Sequence, residues 1–395
     1  MAEGPALQTS DSISEKRQVP LRELALFFLR LGTTAFGGPA AHIAIMEDEL
    51  VRRRRWLSRE KFLDLLGASN LIPGPSSSEL AIHIGYLCAG WRGLLIAGCC
   101  FILPAAVMVA ALGWLYVRFG KIPATAGILY GIKPVVIAVI LQALWGLGRT
   151  AVKTMFLAFV AVFSLCLSVF GLYPLLLLLL AGGVACLPHL RTSGPSLSAL
   201  PSMTIWSGGL ATATSFSLSS LFLVFLKIGA IVFGSGYVLL AFLHADLVTH
   251  RGWLTDAQLV DAVAVGQVTP GPVFTTATFI GFVLGGIRGA ILATVGIFLP
   301  AFILVAASGP LVPRIRKSKI ASAFLDGVNV ASLALMAAVT WQLGRASLVD
   351  VVTFLLTVAS LIALLRFRLN SAWLVLAGAI MGLIMNTHHL GWMPI

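Results

Sequence analysis

The stretch N-L-I-P-G-P-S-S-S-E, residues 70–79, decides how this chain folds. Proline lacks a backbone N–H and clashes with the preceding helical turn, so a Pro-Gly-Pro (PGP) motif ends one helix and allows another to start. The chain contains the same break again in Q-V-T-P-G-P-V-F-T-T, residues 267–276. Each break lies in an apolar segment and is followed by hydroxyl side chains. Two such breaks predict two copies of one structural unit.

The composition is that of an integral membrane protein. Of the 395 residues, 58% are hydrophobic and 11% are charged, against about 25% charged residues in soluble domains. The mean hydropathy is +0.98. The apolar runs have the length of helices and lack the period-2 alternation of barrel strands. The sequence therefore predicts an all-α polytopic protein whose surroundings are the lipid bilayer.

The formal net charge of +12 does not indicate a nucleic-acid partner. Lys and Arg lie mostly in short loops, where they orient membrane proteins. The five cysteines lie in apolar segments without CxxC spacing and are predicted to be packing residues. We predict no metal site and no cofactor.

The two copies align residue by residue, which is the signature of an internal repeat. Gly32, Trp56 and Pro73 each have an identical residue 197 positions later. After a one-residue deletion the offset becomes 196, as for Arg92 and Trp145. We assign a polar N-terminal tail to 1–20, the first repeat to 21–188, a Ser/Thr/Gly-rich linker to 189–215 and the second repeat to 216–395.

The broken segments, 62–90 and 257–286, determine the topology. Roughly 11 residues precede each break and 14 follow, so neither arm alone crosses a core of about 30 Å. A re-entrant hairpin would leave about five spanning helices per repeat and force the repeats to be inverted. A kinked span would give six, and parallel repeats. Loop charge counts do not separate the two, but the basic loop "RRRRWLSREK" against "THRGWLTDAQ" favours inversion.

The PGP breaks have the chemistry of an anion site. A half-helix that starts at Pro75 presents free N–H groups and a positive dipole end. Ser76 and Ser77 add donors, and Thr269 and Thr275 do so in the second repeat. The alternative is ordinary capping, because Ser76-x-x-Glu79 fits a capping box. The repetition of the arrangement at equivalent points favours substrate contact.

Two basic residues inside apolar segments strengthen the anion hypothesis. Arg30 and Lys227 occupy equivalent positions, each two residues before a glycine, although a central Arg or Lys costs about 2.5–3.5 kcal/mol on insertion scales. Together they would suit a dianion; the alternative is snorkelling to the interface. His42 is a candidate donor or proton carrier, with packing as its alternative. Asp64 and Asp261 are interpreted as helix N-terminal carboxylates.

Several long stretches resemble the chromate transporter family of bacterial inner membranes. They are "FGGPAAHIAIMEDELVRRRRWLSREKFLDLL" and "LIPGPSSSELAIHIGYLCAGWRG" in the first half and "WLTDAQLVDAVAVGQVTPGP" in the second. The resemblance covers about residues 20–390. It implies efflux of chromate from the cytoplasm and chromate resistance, with sulfate as the natural look-alike. It also supports inversion, because the family includes half-length members thought to work as oppositely oriented pairs.

The resemblance extends to individual positions. Ser235 replaces the second glycine of the FGG motif, so that break is less symmetric than a pure repeat would be. The positions that carry the family's motifs are Phe36, Gly37, Gly38, Pro39, His42, Trp56, Asn70, Pro73, Gly74, Pro75, Gly85 and Pro104, then Phe233, Gly234, Gln267, Pro270, Gly271, Pro272 and Pro300.

The sequence thus predicts a secondary transporter that exports chromate by alternating access, in the bacterial inner membrane. The alternative is an importer of sulfate or another oxyanion that uses the same site. No enzyme is predicted, because GxGxxG, haem and CxxC motifs are missing and the serines have only Glu79 nearby as a base. Monomer and homodimer both remain open, as does coupling to protons through Glu79 or His42. The predicted substrate-binding residues are Arg30, Lys227, Phe36, Gly37, Gly38, His42, Asn70, Pro73, Gly74, Pro75, Ser76, Ser77, Glu79, Gln267, Thr269, Pro270, Gly271, Pro272 and Thr275.

Overall fold

The computed structural model describes residues 19–120, 122–190, 216–233, 236, 238–308, 318–367 and 369–390. Residues 1–18 of the expected tail, residues 191–215 of the expected linker, and Gly234 and Ser235 lie outside this part. The described residues form helices and no strand, as predicted. The first repeat contains α1 (Leu21–Thr34), α2 (Gly38–Glu47), α3 (Arg59–Ser69), α4 (Ser76–Phe119), α5 (Pro123–Ala151), α6 (Met155–Val169) and α7 (Pro174–Leu190). The second contains α8 (Leu218–Ile231), α9 (Leu239–Leu243), α10 (Asp256–Val268), α11 (Thr276–Ser308), α12 (Lys319–Ser347), α13 (Val351–Phe367) and α14 (Ser371–Leu390).

The first apolar segment of the sequence is two helices. α1 has 14 residues, about 21 Å, and is too short to cross a bilayer core. Gly37 and Gly38 adopt φ of +106° and +72°, a backbone region that glycine tolerates, and turn the chain back along α1. Trp56 then packs edge-on against Phe27 with ring centroids 6.2 Å apart. The chain has therefore turned back alongside α1, towards the face of the molecule at which α1 begins.

The PGP-broken segment also doubles back. α4 leaves helical geometry at Ala89 and Gly90, where Gly90 has φ +60°. Its first arm, 76–88, folds onto its second arm, 91–119, so closely that a Cβ on Gly85 would collide with the carbonyl of Gly93. α11 repeats the device at Gly286. Small residues at such crossings let helix backbones approach within a membrane. α3 and the first arm of α4 thus form the re-entrant hairpin that the sequence predicts.

The helices differ in length more than the sequence indicates. Among the described residues, Ser76–Phe119, Thr125–Ala151, Val273–Ser308 and Ile320–Ser347 are long and apolar enough to cross a membrane. The other apolar helices there have stretches of 10–17 residues. We expected about five spanning helices per repeat, whereas two per repeat have the full length. In the first repeat the break after α1 divides the first apolar segment, and α6 and α7 have only 15 and 17 residues.

The two repeats interlock through their long helices. α5 of the first repeat packs against α13 and α14 of the second, and α12 packs against α6 and α7 of the first. Glycines make these crossings close: Gly131 meets the backbone of Gly378, and Gly327 meets the carbonyl of Ala181. Neither repeat therefore buries its long helix with its own residues alone.

The equivalent helices α4 and α11 pack against each other in opposite directions. Gly98, near the start of the second arm of α4, faces the ring of Phe302 near the end of α11. Further along α4, Gly113 faces Phe282, which lies next to the turn at Gly286 where the second arm of α11 begins. Leu94 likewise clusters with Val305. Residue numbers rise along one helix as they fall along the other, so the two helices are antiparallel.

One face of the molecule carries the basic loop between α2 and α3. α8 runs parallel to the second arm of α11, with Gly229 against Ile297, and α1 packs in the same way on α4 at Gly32. α5 follows α4 after residues 120–122, so the end of α5 returns to the face at which α1 begins. We call this the basic face. It contains Arg52, Arg53, Arg54, Arg55 and Arg59.

Candidate functional site

The two PGP loops bind the opposite repeat at the centre of the molecule. The Gly74 N–H donates to the carbonyl of Val232 at 2.7 Å, and the Gly271 N–H donates to the carbonyl of Ala35 at 3.0 Å. Ala35 and Val232 are equivalent residues, 197 positions apart, so the two bonds are one contact made twice. These glycine amides are used to join the repeats and are not free for a ligand.

Glycine is required at the centre of both loops. Gly74 has φ +143° and Gly271 has φ +94°, where L side chains are strained. A Cβ on Gly271 would lie 2.6 Å from the Cβ of Ala105, and one on Gly74 would overlap the Glu79 carboxylate. Pro73, Pro75, Pro270 and Pro272 flank them. Conformation and close approach thus explain the motif.

A cavity of about 600 Å³ adjoins the first PGP loop. It lies between the α2 and α3 region and the long helices α5 and α12, and of the predicted residues it is lined by Gly37, Asn70 and Ser76. We call it the central cavity. Its other polar lining residues are Gln142, Thr150, Lys153, Asp326, Asn329 and Ser332.

The central cavity combines neutral hydrogen-bond donors with one ion pair. Ser332 is 2% exposed, and its hydroxyl has no hydrogen-bond partner among the described residues. At the mouth, Lys153 Nζ lies 2.7 Å from Asp326 Oδ1, and their side chains are 58% and 27% exposed. Because Lys153 follows the end of α5, this mouth lies on the basic face.

His42 is fully buried and lines no part of the central cavity. Its Nε2 lies 3.1 Å from the carbonyl of Ala35, which also accepts the Gly271 N–H, and its Nδ1 lies 3.5 Å from Ser77 Oγ. The ring also packs edge-on against Phe101. Through these contacts His42 ties the FGGP turn to the serines behind the first PGP loop.

The other predicted polar residues around the loops fall into two groups. The hydroxyls of Thr269 and Thr275 donate to carbonyls of their own chain segment, Val265 and Pro272. In contrast, the Glu79 carboxylate and the Gln267 side-chain amide nitrogen are buried, with no hydrogen-bond partner in the described part of the chain. Of the apolar predictions, Phe36 is 38% exposed and Gly38 is buried.

Arg30 and Lys227 are not brought together. Lys227 Nζ lies 2.7 Å from Asp246 Oδ1 and 2.7 Å from the Tyr173 hydroxyl. Arg30 lines a separate pocket of about 410 Å³ together with Asp48 and Glu49. Neither side chain lines the central cavity. Each cation lies in the hairpin of its own repeat, beside acidic residues.

Two carboxylates interpreted as helix N-terminal groups lie elsewhere. Thr255 caps α10 in a capping box with Gln258, and Asp261 lies in mid-helix. Asp64 is likewise inside α3, which Ser58 caps. These two interpretations were wrong, because the helices begin earlier than the apolar pattern indicates. The capping box that was the alternative to substrate contact at Ser76 is not formed, since Pro75 is the N-cap of α4 without a side-chain bond.

Asp261 belongs to a buried cluster that we did not expect. Its Oδ1 lies 3.1 Å from Lys133 Nζ, and its Oδ2 accepts the Tyr116 hydroxyl at 2.9 Å. A signal for Lys133 was present, because a lysine within a spanning segment marks a functional site by default. The cavity residues Gln142, Asn329 and Ser332 carried no comparable signal.

The described residues bring together no group of three or more His, Cys, Asp or Glu that could hold a metal ion. Two interlocked helical repeats with broken helices, around a cavity lined by both polar and apolar side chains, are an architecture of membrane transporters. The chain belongs to the chromate transporter family, whose model matches residues 22–187 and 219–383. The prediction of an all-α membrane protein built from two repeats is thereby confirmed.

Curated relatives share this similarity over most of the chain. The chromate transport protein of Cupriavidus metallidurans is 34% identical over 96% of this chain and 97% of its own length. The probable chromate transport protein of Synechococcus elongatus is 33% identical over 84% and 86%. The chromate transport protein of Pseudomonas aeruginosa is 32% identical over 86% and 85%. No solved structure matches the chain.

Proposed function

We propose that this protein is a secondary transporter that exports chromate across the bacterial inner membrane and so confers chromate resistance. The observation that carries the proposal is the central cavity, which joins neutral donors at its floor to a cation at its mouth. The names of the relatives support chromate as the cargo. We propose the repeat bounds 21–188 and 216–395, with the linker 189–215, as the functional division of the chain.

The chemistry of the cavity suits a tetrahedral dianion. Chromate and sulfate accept hydrogen bonds on every oxygen, and Asn70, Ser76, Asn329 and Ser332 supply amide and hydroxyl donors. The unpartnered Ser332 hydroxyl gains a bond only when a ligand or water enters. Lys153 attracts the anion to the mouth, where its pairing with Asp326 is exposed and therefore weak.

The other predicted residues support the site from behind. Gly74, Gly271 and His42 hold the loops in place through the contacts described above. Lys227 holds the first hairpin of the second repeat through its ion pair with Asp246, and Arg30 lines a pocket together with Asp48 and Glu49. The proposed contacts of the oxyanion are therefore the cavity residues, in place of the two cations.

The basic face supports a cytoplasmic location for the mouth. Lys and Arg concentrate in the cytoplasmic loops of membrane proteins, and the basic face carries the arginine run and Lys153. An inward-facing cavity is the state in which an exporter takes up its cargo. An inside-negative potential then favours exit by about 2.3 kcal/mol per charge per 100 mV.

We propose that the two repeats are inverted and work by alternating access. The antiparallel packing of α4 on α11, at Gly98 with Phe302 and at Gly113 with Phe282, supports this. In such transporters the binding site lies near the midplane where the repeats meet, and broken helices form it. The paired bonds of Gly74 and Gly271 fit a hinge at that point.

Radiolabelled chromate flux in membrane vesicles tests the proposal. Everted vesicles present the cytoplasmic face outward, so export predicts energised uptake of chromate that excess sulfate inhibits. Adding a protonophore tests whether this uptake is coupled to protons. Replacing Asn329 by Leu should slow uptake about tenfold, because one donor is lost, whereas Met336→Leu on the same helix should not. Flux only in right-side-out vesicles would replace export by oxyanion import.

A further inference from the structure

A buried ionic cluster lies near the ends of α4 and α5 that are away from the mouth of the central cavity. Lys133 of α5 pairs with Asp261 of α10, whose other oxygen accepts the hydroxyl of Tyr116 from α4. The Asp261 side chain is 5% exposed and that of Lys133 is 20% exposed. Tyr116 and Lys133 belong to the first repeat and Asp261 to the second. The cluster therefore holds the repeats together.

The repeat register relates this cluster to the central cavity. Lys133 is the counterpart of Asn329, 196 positions later, and Asn329 lines the cavity. Val136 is in the same way the counterpart of the cavity residue Ser332. Ser332 and Val136 are both buried, 2% and 0% exposed, but only Ser332 is in the lining of the central cavity. The cavity thus lies beside one of the two equivalent positions, and the Lys133–Asp261 ion pair lies near the other.

The ion pair is poorly explained by stability. Two charges within a membrane are costly, and replacing a buried pair by apolar residues is often neutral or stabilising. Although Lys133 Nζ is at ion-pair distance, the Asp261 Oδ1 atom accepts no aligned hydrogen bond from the described residues. Such a contact is attractive and can still be exchanged for another anion.

We propose that Lys133, Asp261 and Tyr116 form the gate on the face opposite the mouth, and that Lys133 binds the oxyanion when this gate opens. This inference rests on the proposed function. The arriving dianion takes the place of the Asp261 carboxylate beside the ammonium group, while Tyr116 keeps its bond to Asp261. The cation is therefore never left without an anion, and no proton has to move.

The gate can be tested without any substrate. In a chain whose five native cysteines are replaced by alanine, Val136→Cys reports opening through its reaction with a membrane-impermeant maleimide added at the face opposite the mouth. Asp261→Asn should raise the labelling rate about tenfold, because Lys133 is then left buried without its partner and the closed state is weakened. Asp256→Asn, on the same helix outside the cluster, should leave it unchanged. Equal rates in Asp261→Asn and the parent chain would overturn the gate.

The anion-binding role needs a second comparison. Exchanging the charges by Lys133→Asp with Asp261→Lys keeps the pair, so labelling should stay low, while chromate flux should fall at least about tenfold. Lys133→Arg should keep the flux. If the exchanged chain does not reach the membrane, Lys133→Gln with Asp261→Asn should label fast and still not transport. Wild-type flux in either double variant would show that Lys133 holds no anion. Failure of the proposed function is seen separately, as absent flux in the unmutated protein.

Discussion

The amide of Gly271 donates to the carbonyl of Ala35 across 3.0 Å, and His42 Nε2 lies 3.1 Å from the same carbonyl oxygen. One backbone oxygen at the end of α1 thus connects the second PGP loop, the FGGP turn and the start of α2. The equivalent bond from Gly74 to Val232 completes the pair. The breaks in the helices are therefore points at which the two repeats are joined, and their sensitivity to substitution follows from this.

Replacing Gly271 by Ala should destabilise the protein. The residue has φ +94°, and the new Cβ would lie 2.6 Å from that of Ala105. We expect a loss of about 2 kcal/mol or more from backbone strain and overpacking, measured as a lower thermal midpoint in detergent. Gly183→Ala, in α7 with no atom near the added Cβ, is the control and should not lower the midpoint. An unchanged midpoint for Gly271→Ala would contradict the close approach.

Replacing Ser332 by Ala should weaken transport without weakening the fold. Its buried hydroxyl has no partner in the described part of the protein, so removing it relieves a desolvation cost of about 1–3 kcal/mol. We expect an unchanged or higher thermal midpoint and a KM for chromate raised about fivefold. Ser347, also buried and unpartnered on α12, lies outside the cavity. Ser347→Ala should change the thermal midpoint as Ser332→Ala does and leave the KM for chromate unchanged. Equal KM values for the two variants would show that Ser332 does not contact the substrate.

Substitutions at Lys227 test whether this lysine is a structural cation or a ligand of the substrate. Its partner Asp246 is buried, whereas the lysine side chain is 35% exposed, so Lys227→Gln should cost about 1–2 kcal/mol after allowance for solvent screening. Adding Asp246→Asn removes the stranded carboxylate and should restore both the thermal midpoint and chromate uptake. If Lys227 instead binds the oxyanion, the double variant will fold well and remain inactive.

The carboxylate of Asp350 is expected to make the stability of the fold depend on pH. The backbone N–H of Thr353 and the hydroxyl of Tyr130 bond to this carboxylate and hold the pKa of Asp350 below its usual value. A lowered folded-state pKa stabilises the fold above the unfolded value of about 3.9, and this contribution is lost as pH falls through the folded value. Asp350→Asn should therefore lower the thermal midpoint at pH 7, with a difference that shrinks below about pH 4. A constant difference across this range would argue against the charge.

Local chemistry made much of the architecture predictable. Proline and glycine act on the backbone wherever they occur, so the breaks at Pro73–Pro75 and Pro270–Pro272 and the repeat register could be read from the sequence. The division of segment one was less apparent, because the apolar pattern continues through the FGGP turn. Helix starts were also misjudged, as at Asp261, since caps such as Thr255 lie before the apolar run.

The residues of the site were hard to predict because their partners lie far away in the sequence. Nothing near Lys133 in sequence indicates Asp261, and nothing near Lys227 indicates Tyr173. Which side of α12 faces the cavity is set by its packing on α6 and α7, so Asn329 and Ser332 could not be selected beforehand. Periodicity identifies a helix in an apolar segment but not its rotation when every side is apolar.

The meeting of Gly131 with Gly378 has a consequence for biosynthesis. The two glycines are separated by nearly two thirds of the chain. At a translation rate of about 5–20 residues per second, α14 is synthesised roughly 10–50 s after α5. During that time the glycine surface of α5 faces lipid or an insertion factor. The nascent first half must therefore persist in the membrane as an unfinished intermediate until α13 and α14 have been made.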